Sequence, residues 1–447
     1  MLNKYDYVVI GSGPAGHSSA VRASELGLKT AVVEKDENMF GGVCLNEGCI
    51  PAKSLFRSAE IYQIVKKNAE SCGFTHGSAM VDLPLFVKKS RDASNQLRKG
   101  LEFVFKTRDI DLIQGTARFC DNKNIVINSA DGNKTRIQAE RFLIATGSRP
   151  KALAELPFDG KRVITSRDAM SLKNVPRKML VVGAGAIGVE FASFFSTIGA
   201  EVTVVEIEPY VLLSEDRELS RWFEAFLKKK GIKVLTSSRV KDVAIDEYDT
   251  ILVSIGRAPS TFDLGLEDIG VNTDKNGFIR VDGKMRSSVK NIFAAGDVLN
   301  TPMLAHSAFA EGERAAETAA GKKSKPVDYD SLPNAVYTEL QLSSVGITEE
   351  KAKERKLDVV VGKSFFKACG KAVINSQTEG FVKVIADKKT LKIIGAHILG
   401  YAAAEMIHEF VVAKRKGLTV GDIADTVHAH PTFSEAAAGA CRAARRG

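Results

Sequence analysis

The sequence predicts an α/β fold: two three-layer nucleotide-binding domains followed by a smaller α+β domain. Three observations predict it. A glycine-rich strand–turn–helix pattern occurs twice. Each copy is followed, at one fixed distance, by a second apolar strand that ends in an acid. The residues beyond Pro333 alternate strands with amphipathic helices and repeat neither pattern. A length of 447 residues suits about three domains at roughly 150 residues each.

The first copy begins with the apolar strand Val8-Val9-Ile10 and continues Gly11-Ser12-Gly13-Pro14-Ala15-Gly16, with Ala20 four residues on. The second begins with Met179-Leu180-Val181-Val182 and continues Gly183-Ala184-Gly185-Ala186-Ile187-Gly188, with Ala192 in the matching place. Glu34 and Glu206 each stand 23 residues after the first glycine, so the copies are offset by 172 residues. The spacing has a physical reason. The first glycine makes the tight turn, the second lets a pyrophosphate approach the backbone, and the third lets helix and strand pack closely. The phosphate then lies on a helix N-terminus, and the acid accepts hydrogen bonds from a ribose. One such motif is weak evidence, because a glycine turn in a core looks the same. Two complete copies in register predict two bound dinucleotides.

Two echoes close these units. Phe142-Leu143-Ile144-Ala145-Thr146-Gly147 and Ile251-Leu252-Val253-Ser254-Ile255-Gly256 each read as a buried strand entering a glycine turn. A third strand, Asn291-Ile292-Phe293-Ala294-Ala295, ends at Gly296-Asp297. The expected organisation is therefore 1–149 for the first nucleotide domain, 150–260 for the second, 261–330 completing the first, and 331–447 as the α+β domain.

Composition excludes several classes. The chain is 44% hydrophobic and 26% charged, ordinary for a globular protein. The most apolar region, 179–205, is interrupted by Glu190 and Glu201, so no membrane span is expected. Net charge is +9, yet no basic run reaches five residues; an acidic partner or phosphate-bearing ligands account for it without nucleic acid. The strand Tyr5-Asp6-Tyr7-Val8-Val9-Ile10 runs straight into the glycine loop, leaving no room for a signal or transit peptide. A cytoplasmic enzyme is expected, or the processed chain of an organelle.

Six cysteines (44, 49, 72, 120, 369 and 441) do not form a secreted framework. Cys44 and Cys49 fall in Gly41-Gly42-Val43-Cys44-Leu45-Asn46-Glu47-Gly48-Cys49-Ile50-Pro51-Ala52-Lys53. On a regular helix their Cα atoms would lie roughly 8–9 Å apart, whereas a disulfide needs about 4.4–6.8 Å. A bridge would need a distorted turn, and Gly48 offers one. So short a loop stabilises little, which suits redox chemistry better than stapling. Two inert thiols are the plain alternative. Zinc would want two further Cys or His ligands, and none is evident nearby, so no metal is expected. Among the seven histidines, His17, His76, His397 and His408 read as structural. His430 differs: Pro431 biases it toward an extended backbone, and a helix beginning near Thr432 would let Glu435 turn back and fix its tautomer.

The cysteine string, set between two nucleotide motifs, resembles the class I flavoprotein disulfide reductases, and within them the branch that oxidises dihydrolipoamide. The similarity continues through Gly296-Asp297, Met303-Leu304-Ala305-His306 and Tyr337-Thr338-Glu339 to His428-Ala429-His430-Pro431-Thr432-Phe433-Ser434-Glu435. It implies Rossmann-like FAD and NAD domains and a C-terminal dimerisation domain. FAD would be held by Gly11, Gly13, Gly16, Glu34, Gly42, Lys53, Gly147, Gly296, Asp297 and Ala305, and NAD by Gly183, Gly185, Gly188, Glu206 and Gly256. The catalytic set it implies is Cys49 against the flavin, Cys44 toward the substrate, His430 with Glu435 acting across a homodimer, and Lys53 pairing with Glu190. Partners would be dihydrolipoamide on lipoyl domains or carrier proteins of 2-oxo acid dehydrogenase or glycine-cleavage systems. Reduction of another small or carrier-bound disulfide is the alternative. Glu206 favours NAD, since a carboxylate repels a 2′-phosphate and Ile207-Glu208-Pro209-Tyr210 supplies no cation to receive one. Three departures from the family pattern stand out: 231–251 is short, Leu340 replaces a common proline, and Phe433 replaces a common leucine.

Overall fold

The computed structural model describes residues 3–68, 72–74, 77–323 and 325–446; His76 lies outside them. Contacts divide the chain into two compact units. One comprises Met1–Leu55, Pro84–Lys151 and Gly256–Tyr329; the other comprises Phe56–Leu83, Ala152–Ile255 and Asp330–Gly447.

The first unit is built on a seven-stranded sheet. Its parallel part runs Asp111–Gln114, Thr30–Glu34, Asn3–Ile10, Lys134–Ile144, Ile292–Ala294. Tyr7, Val8, Val9, Ala31, Val32, Phe142, Leu143, Ile144 and Ile292 are buried, the continuous apolar run of strands covered on both faces. Registers of Ile10 with Val33 and Ile144, and of Ile144 with Ala294, align the C-terminal strand ends. Gly11, Gly147 and Gly296 therefore leave the sheet along one edge. The chain departs from Asn3–Ile10 to opposite sides, toward Thr30–Glu34 and toward Lys134–Ile144. That reversal is where open α/β sheets place ligands. The N-terminal half of Lys134–Ile144 carries an antiparallel extension, Asn124–Asn128 and Thr116–Asp121. Helix Pro14–Glu25 packs on Ala305–Ala319; a Cβ on Gly312 would stand 2.2 Å from Ala15 O, so only glycine permits that approach.

The second unit repeats the theme with a five-stranded parallel sheet: Lys233–Leu235, Glu201–Val205, Lys178–Val182, Thr250–Val253, Val163–Ile164. Between Lys233–Leu235 and Thr250–Val253 lie only two single turns, Val240–Asp242 and Ile245–Glu247, where the sequence reads as trimmed. A separate antiparallel sheet orders Asn334–Val336, Leu342–Gly346, Ile393–Leu399, Phe381–Asp387 and Val359–Phe365. Its helices are Ala403–Lys416, Val420–Asp425 and Glu435–Arg446. Leu391 (φ 57°) turns the hairpin, and the strand after it begins at Ile393. One sequence expectation shifts here. The helix expected near Thr432 begins at Glu435, because the Thr432 N–H donates to the Glu435 side chain instead of opening a helix.

Candidate active site

The two glycine loops have one geometry. A Cβ on Gly16 would sit 1.9 Å from Gly11 O, and one on Gly188 would sit 1.9 Å from Gly183 O. Gly13 and Gly185 cap the following helices without a side-chain hydrogen bond, so the first helical N–H groups face a ligand position, as an anion site requires. The acids also agree. Glu34 Oε2 accepts from Ser12 N at 3.0 Å and Ser12 Oγ at 2.6 Å. Glu206 Oε2 accepts from Ala184 N at 2.6 Å. Each carboxylate thus braces its own loop at the strand end where a ribose would lie. These cradles fit dinucleotides: glycine backbones, uncapped helix starts and an acid recur in the same places. If the first loop holds FAD and the second NAD, as the resemblance implies, Gly16→Ala should lower the flavin content, while Gly188→Ala should leave a yellow protein with weakened nicotinamide binding. Flavin content and NADH titration check both; loss of flavin from Gly188→Ala would contradict the assignment.

Gly42 packs on the first loop, where its Cβ would meet Gly13 Cα at 2.4 Å. Gly147 and Gly256 flank a two-stranded ribbon, Ser148–Pro150 against Arg257–Pro259, tied by Ser260 N to Gly147 O at 2.8 Å and Lys151 N to Gly256 O at 3.0 Å. Asp297 accepts from Ser148 Oγ at 2.5 Å, and Arg257 Nε donates to the same Oγ at 2.6 Å. Burial draws the Arg257 guanidinium below its usual range, against the pull of Asp297 and Cys49. Ala305 opens helix Ala305–Ala319.

Beneath Gly296 lies a residue the sequence analysis missed. Glu311 is fully buried; its Oε2 accepts from Gly296 N at 2.7 Å, and its Oε1 from Tyr329 Oη at 2.9 Å and Ser307 Oγ at 3.2 Å. Burial raises its carboxyl above the ordinary range. The available signal was a lone acid on the small-residue face Ala308, Gly312, Ala315. Ser148 and Arg257 were missed as well.

The cysteines flank a break. Helix Gly42–Glu47 ends at Gly48, and helix Cys49–Asn68 starts at once. A Cβ on Gly48 would press to 2.9 Å from Val43 O and 3.2 Å from Cys44 Cα, so the close return past Cys44 needs glycine. Asn46 Nδ2 bonds Phe40 O at 2.8 Å and Gly42 O at 2.9 Å, and Arg91 Nη1 bonds Asn46 O at 2.6 Å. Both thiols are half-buried. A hydrogen bond to Cys49, then burial, hold the Cys44 thiol far above the usual range, while Lys53, one turn beyond Cys49, acts the other way. The other cysteines stand apart: Cys72 and Cys120 are exposed, Cys369 is buried, and burial pushes Cys441 up to about 12.

His430 Nδ1 lies 2.9 Å from Glu435 Oε1, and Glu435 Oε2 accepts from Thr432 N at 2.9 Å. The hydrogen bond from His430, then that from Thr432, draw the Glu435 carboxyl below its usual range. The His430 side chain is 76% exposed. Phe433 fills the space between Phe366 and Tyr401, with ring centroids at 5.9 and 5.4 Å. Glu190 is buried and accepts from Tyr337 N at 2.9 Å. His17 and His397 bond backbone carbonyls, Ser12 O at 3.2 Å and Ile347 O at 2.9 Å, while His408 is exposed.

The chain belongs to the pyridine nucleotide-disulphide oxidoreductases: that family matches over residues 5–312, and its dimerisation domain over 332–441. It is 41% identical to the dihydrolipoyl dehydrogenase of Chlorobaculum tepidum, covering 97% of this chain and 95% of that protein. Dihydrolipoyl dehydrogenase 1, mitochondrial, of Arabidopsis thaliana is 40% identical over 96% of this chain and 88% of its own length. Among solved structures, LpdA from Mycobacterium tuberculosis superposes with a TM-score of 0.90 at 25% identity, covering 99% of both chains. The HOCl-induced flavoprotein disulfide reductase RclA of Escherichia coli superposes at 0.87 with 27% identity, covering 98% of this chain and 99% of that one. Among the described residues no helix is long and apolar enough to cross a membrane.

Proposed function

We propose that this chain is an NAD-dependent dihydrolipoyl dehydrogenase that oxidises dihydrolipoamide through a Cys44–Cys49 disulfide. The observation that carries the reading is the cysteine pair at the Gly48 break, in a chain 41% identical to such an enzyme. FAD and NAD are its cofactors; when bound, FAD would supply the acceptor for the electron pair and NAD the final hydride acceptor. Gly11, Gly13, Gly16, Glu34, Gly42 and Asp297 hold the first cofactor, with Lys53, Gly147, Gly296 and Ala305 beside it. Gly183, Gly185, Gly188, Glu206 and Gly256 hold the second.

The chain's own residues manage sulfur and protons. A substrate thiolate attacks Cys44 Sγ, the Cys44–Cys49 bond breaks, and Cys49 leaves as a thiolate. The second substrate thiol, its proton taken by His430 Nε2, attacks the substrate sulfur joined to Cys44. Closed lipoamide departs, and Cys44 takes up a proton. Two electrons now rest on the cysteine pair. The hydrogen bond to Cys49 and burial raise the proton affinity of the Cys44 thiol. Lys53 and Glu190 complete the proposed catalytic set.

The unit at work is a homodimer built through 331–447, in which His430 and Glu435 serve the cysteines of the partner. Its substrates are lipoyl groups on 2-oxo acid dehydrogenase or glycine-cleavage components, in the cytoplasm. Steady-state turnover of the purified flavoprotein tests the reading, with NAD and NADP each offered against dihydrolipoamide and reduced glutathione. Turnover with NAD and dihydrolipoamide is expected; a preference for glutathione or for the phosphorylated nucleotide would overturn it.

A further inference from the structure

The loop between helices Val420–Asp425 and Glu435–Arg446 carries a second histidine that the exchange chemistry leaves without a role. The His428 side chain is 10% exposed. Its Nδ1 lies 2.9 Å from Thr426 O, and its Nε2 lies 2.9 Å from Glu409 Oε1 on helix Ala403–Lys416. Both ring nitrogens are thus held by oxygens, one on the loop's own backbone and one on a neighbouring helix. The ring cannot turn without breaking two bonds, one of them to a charged group, the stronger kind.

The remaining anchors lie on the other side of His430. Thr432 Oγ1 donates to Ala429 O at 2.7 Å, and Cys369 Sγ to Thr432 O at 3.4 Å. On the side toward Val420–Asp425, Thr426 Oγ1 donates to Asp422 O at 2.7 Å, and His428 alone among these residues ties the loop to Ala403–Lys416. The two His–Glu pairs also share one field: His428, like His430, helps lower the Glu435 carboxyl.

We propose that His428, clamped by Glu409, is a positioning residue for the thiol-exchange half-reaction: it fixes the loop that aims His430 at the reacting sulfurs. This rests on the dithiol reading above. Rapid mixing of wild type, His428→Ala and Glu409→Gln with dihydrolipoamide, and separately with NADH, tests it.

For His428→Ala, flavin reduction by saturating dihydrolipoamide should slow about tenfold, part of the 10²–10⁴ that a placed acid–base group contributes. The half-saturating dithiol concentration should stay within about twofold, as for a loss made only in the transition state, and reduction by NADH should be unchanged. Glu409→Gln, whose amide oxygen still accepts from Nε2, should lose less. An equal loss with both reductants would mark His428 as merely structural and overturn the proposal, as would no loss in either variant. Failure of the wild-type chain itself to react with dihydrolipoamide would sink the functional reading, and this inference with it; a normal wild type beside unaffected variants sinks this inference alone.

Discussion

Cys44→Ser is expected to reduce dihydrolipoamide turnover by roughly 10³-fold or more, the scale on which removing a nucleophile acts, while NADH still reduces the flavin. Serine preserves the shape of the short helix Gly42–Glu47 and the Gly48 return, so the cradle at Gly13 and Gly42 stays closed. What it removes is the sulfur that can form a mixed disulfide. Cys49 keeps its place at the start of Cys49–Asn68 with Lys53 one turn on. Its neighbour is now a hydroxyl rather than a thiol of high proton affinity. The two half-reactions should therefore separate cleanly in stopped-flow traces. Equal loss of both would mean that Cys44 also shapes the flavin pocket, and the division of labour between the sulfurs would fall.

Why both sulfurs were legible and other parts of the site were not has a physical answer. Gly11, Gly16 and Glu34 obey a local ruler: a tight turn, a helix start and the length of one strand–helix–strand unit fix their spacing, and the copy at Gly183, Gly188 and Glu206 repeats it. Cys44 and Cys49 are likewise read within thirteen residues. Glu311 is different. Its partners, Gly296 and Tyr329, lie 15 and 18 residues away and meet it only after helix Ala305–Ala319 has packed on Pro14–Glu25. Ser148 and Arg257 meet through a ribbon whose strands are 109 residues apart, and Asp297 joins them from 149 residues away. No periodicity encodes such pairings. The same limit moved the last helix from Thr432 to Glu435: a side chain accepting a backbone N–H three residues earlier is a competition that helical pattern alone does not reveal. Leu340 stands where the family resemblance leads one to expect proline, and its side chain is buried; nothing in the fold explains the exchange.

His430→Gln should lower turnover of dihydrolipoamide by about 10²–10⁴-fold, the usual contribution of a placed acid–base group, with NADH-driven flavin reduction intact. Glu435→Gln should do less, because an amide oxygen still accepts from Nδ1 and holds the ring; what it loses is the negative charge beside the ring. The acid side of the pH profile follows from the same pair. Glu435 has its carboxyl drawn below the ordinary value of 4.5, first by the hydrogen bond from His430 and then by the N–H of Thr432. A carboxyl depressed in the folded state contributes fully above its unfolded value and loses that contribution as pH falls through the folded one. The turn 430–435 should thus be held fully above about pH 4.5 and loosen only at lower pH. In Glu435→Gln that acid-side loosening should vanish, seen as a flat His430 ring signal by NMR below pH 4.5. If the variant keeps the wild-type acid transition, a group other than Glu435 governs it, and the orienting role assigned to this carboxylate fails.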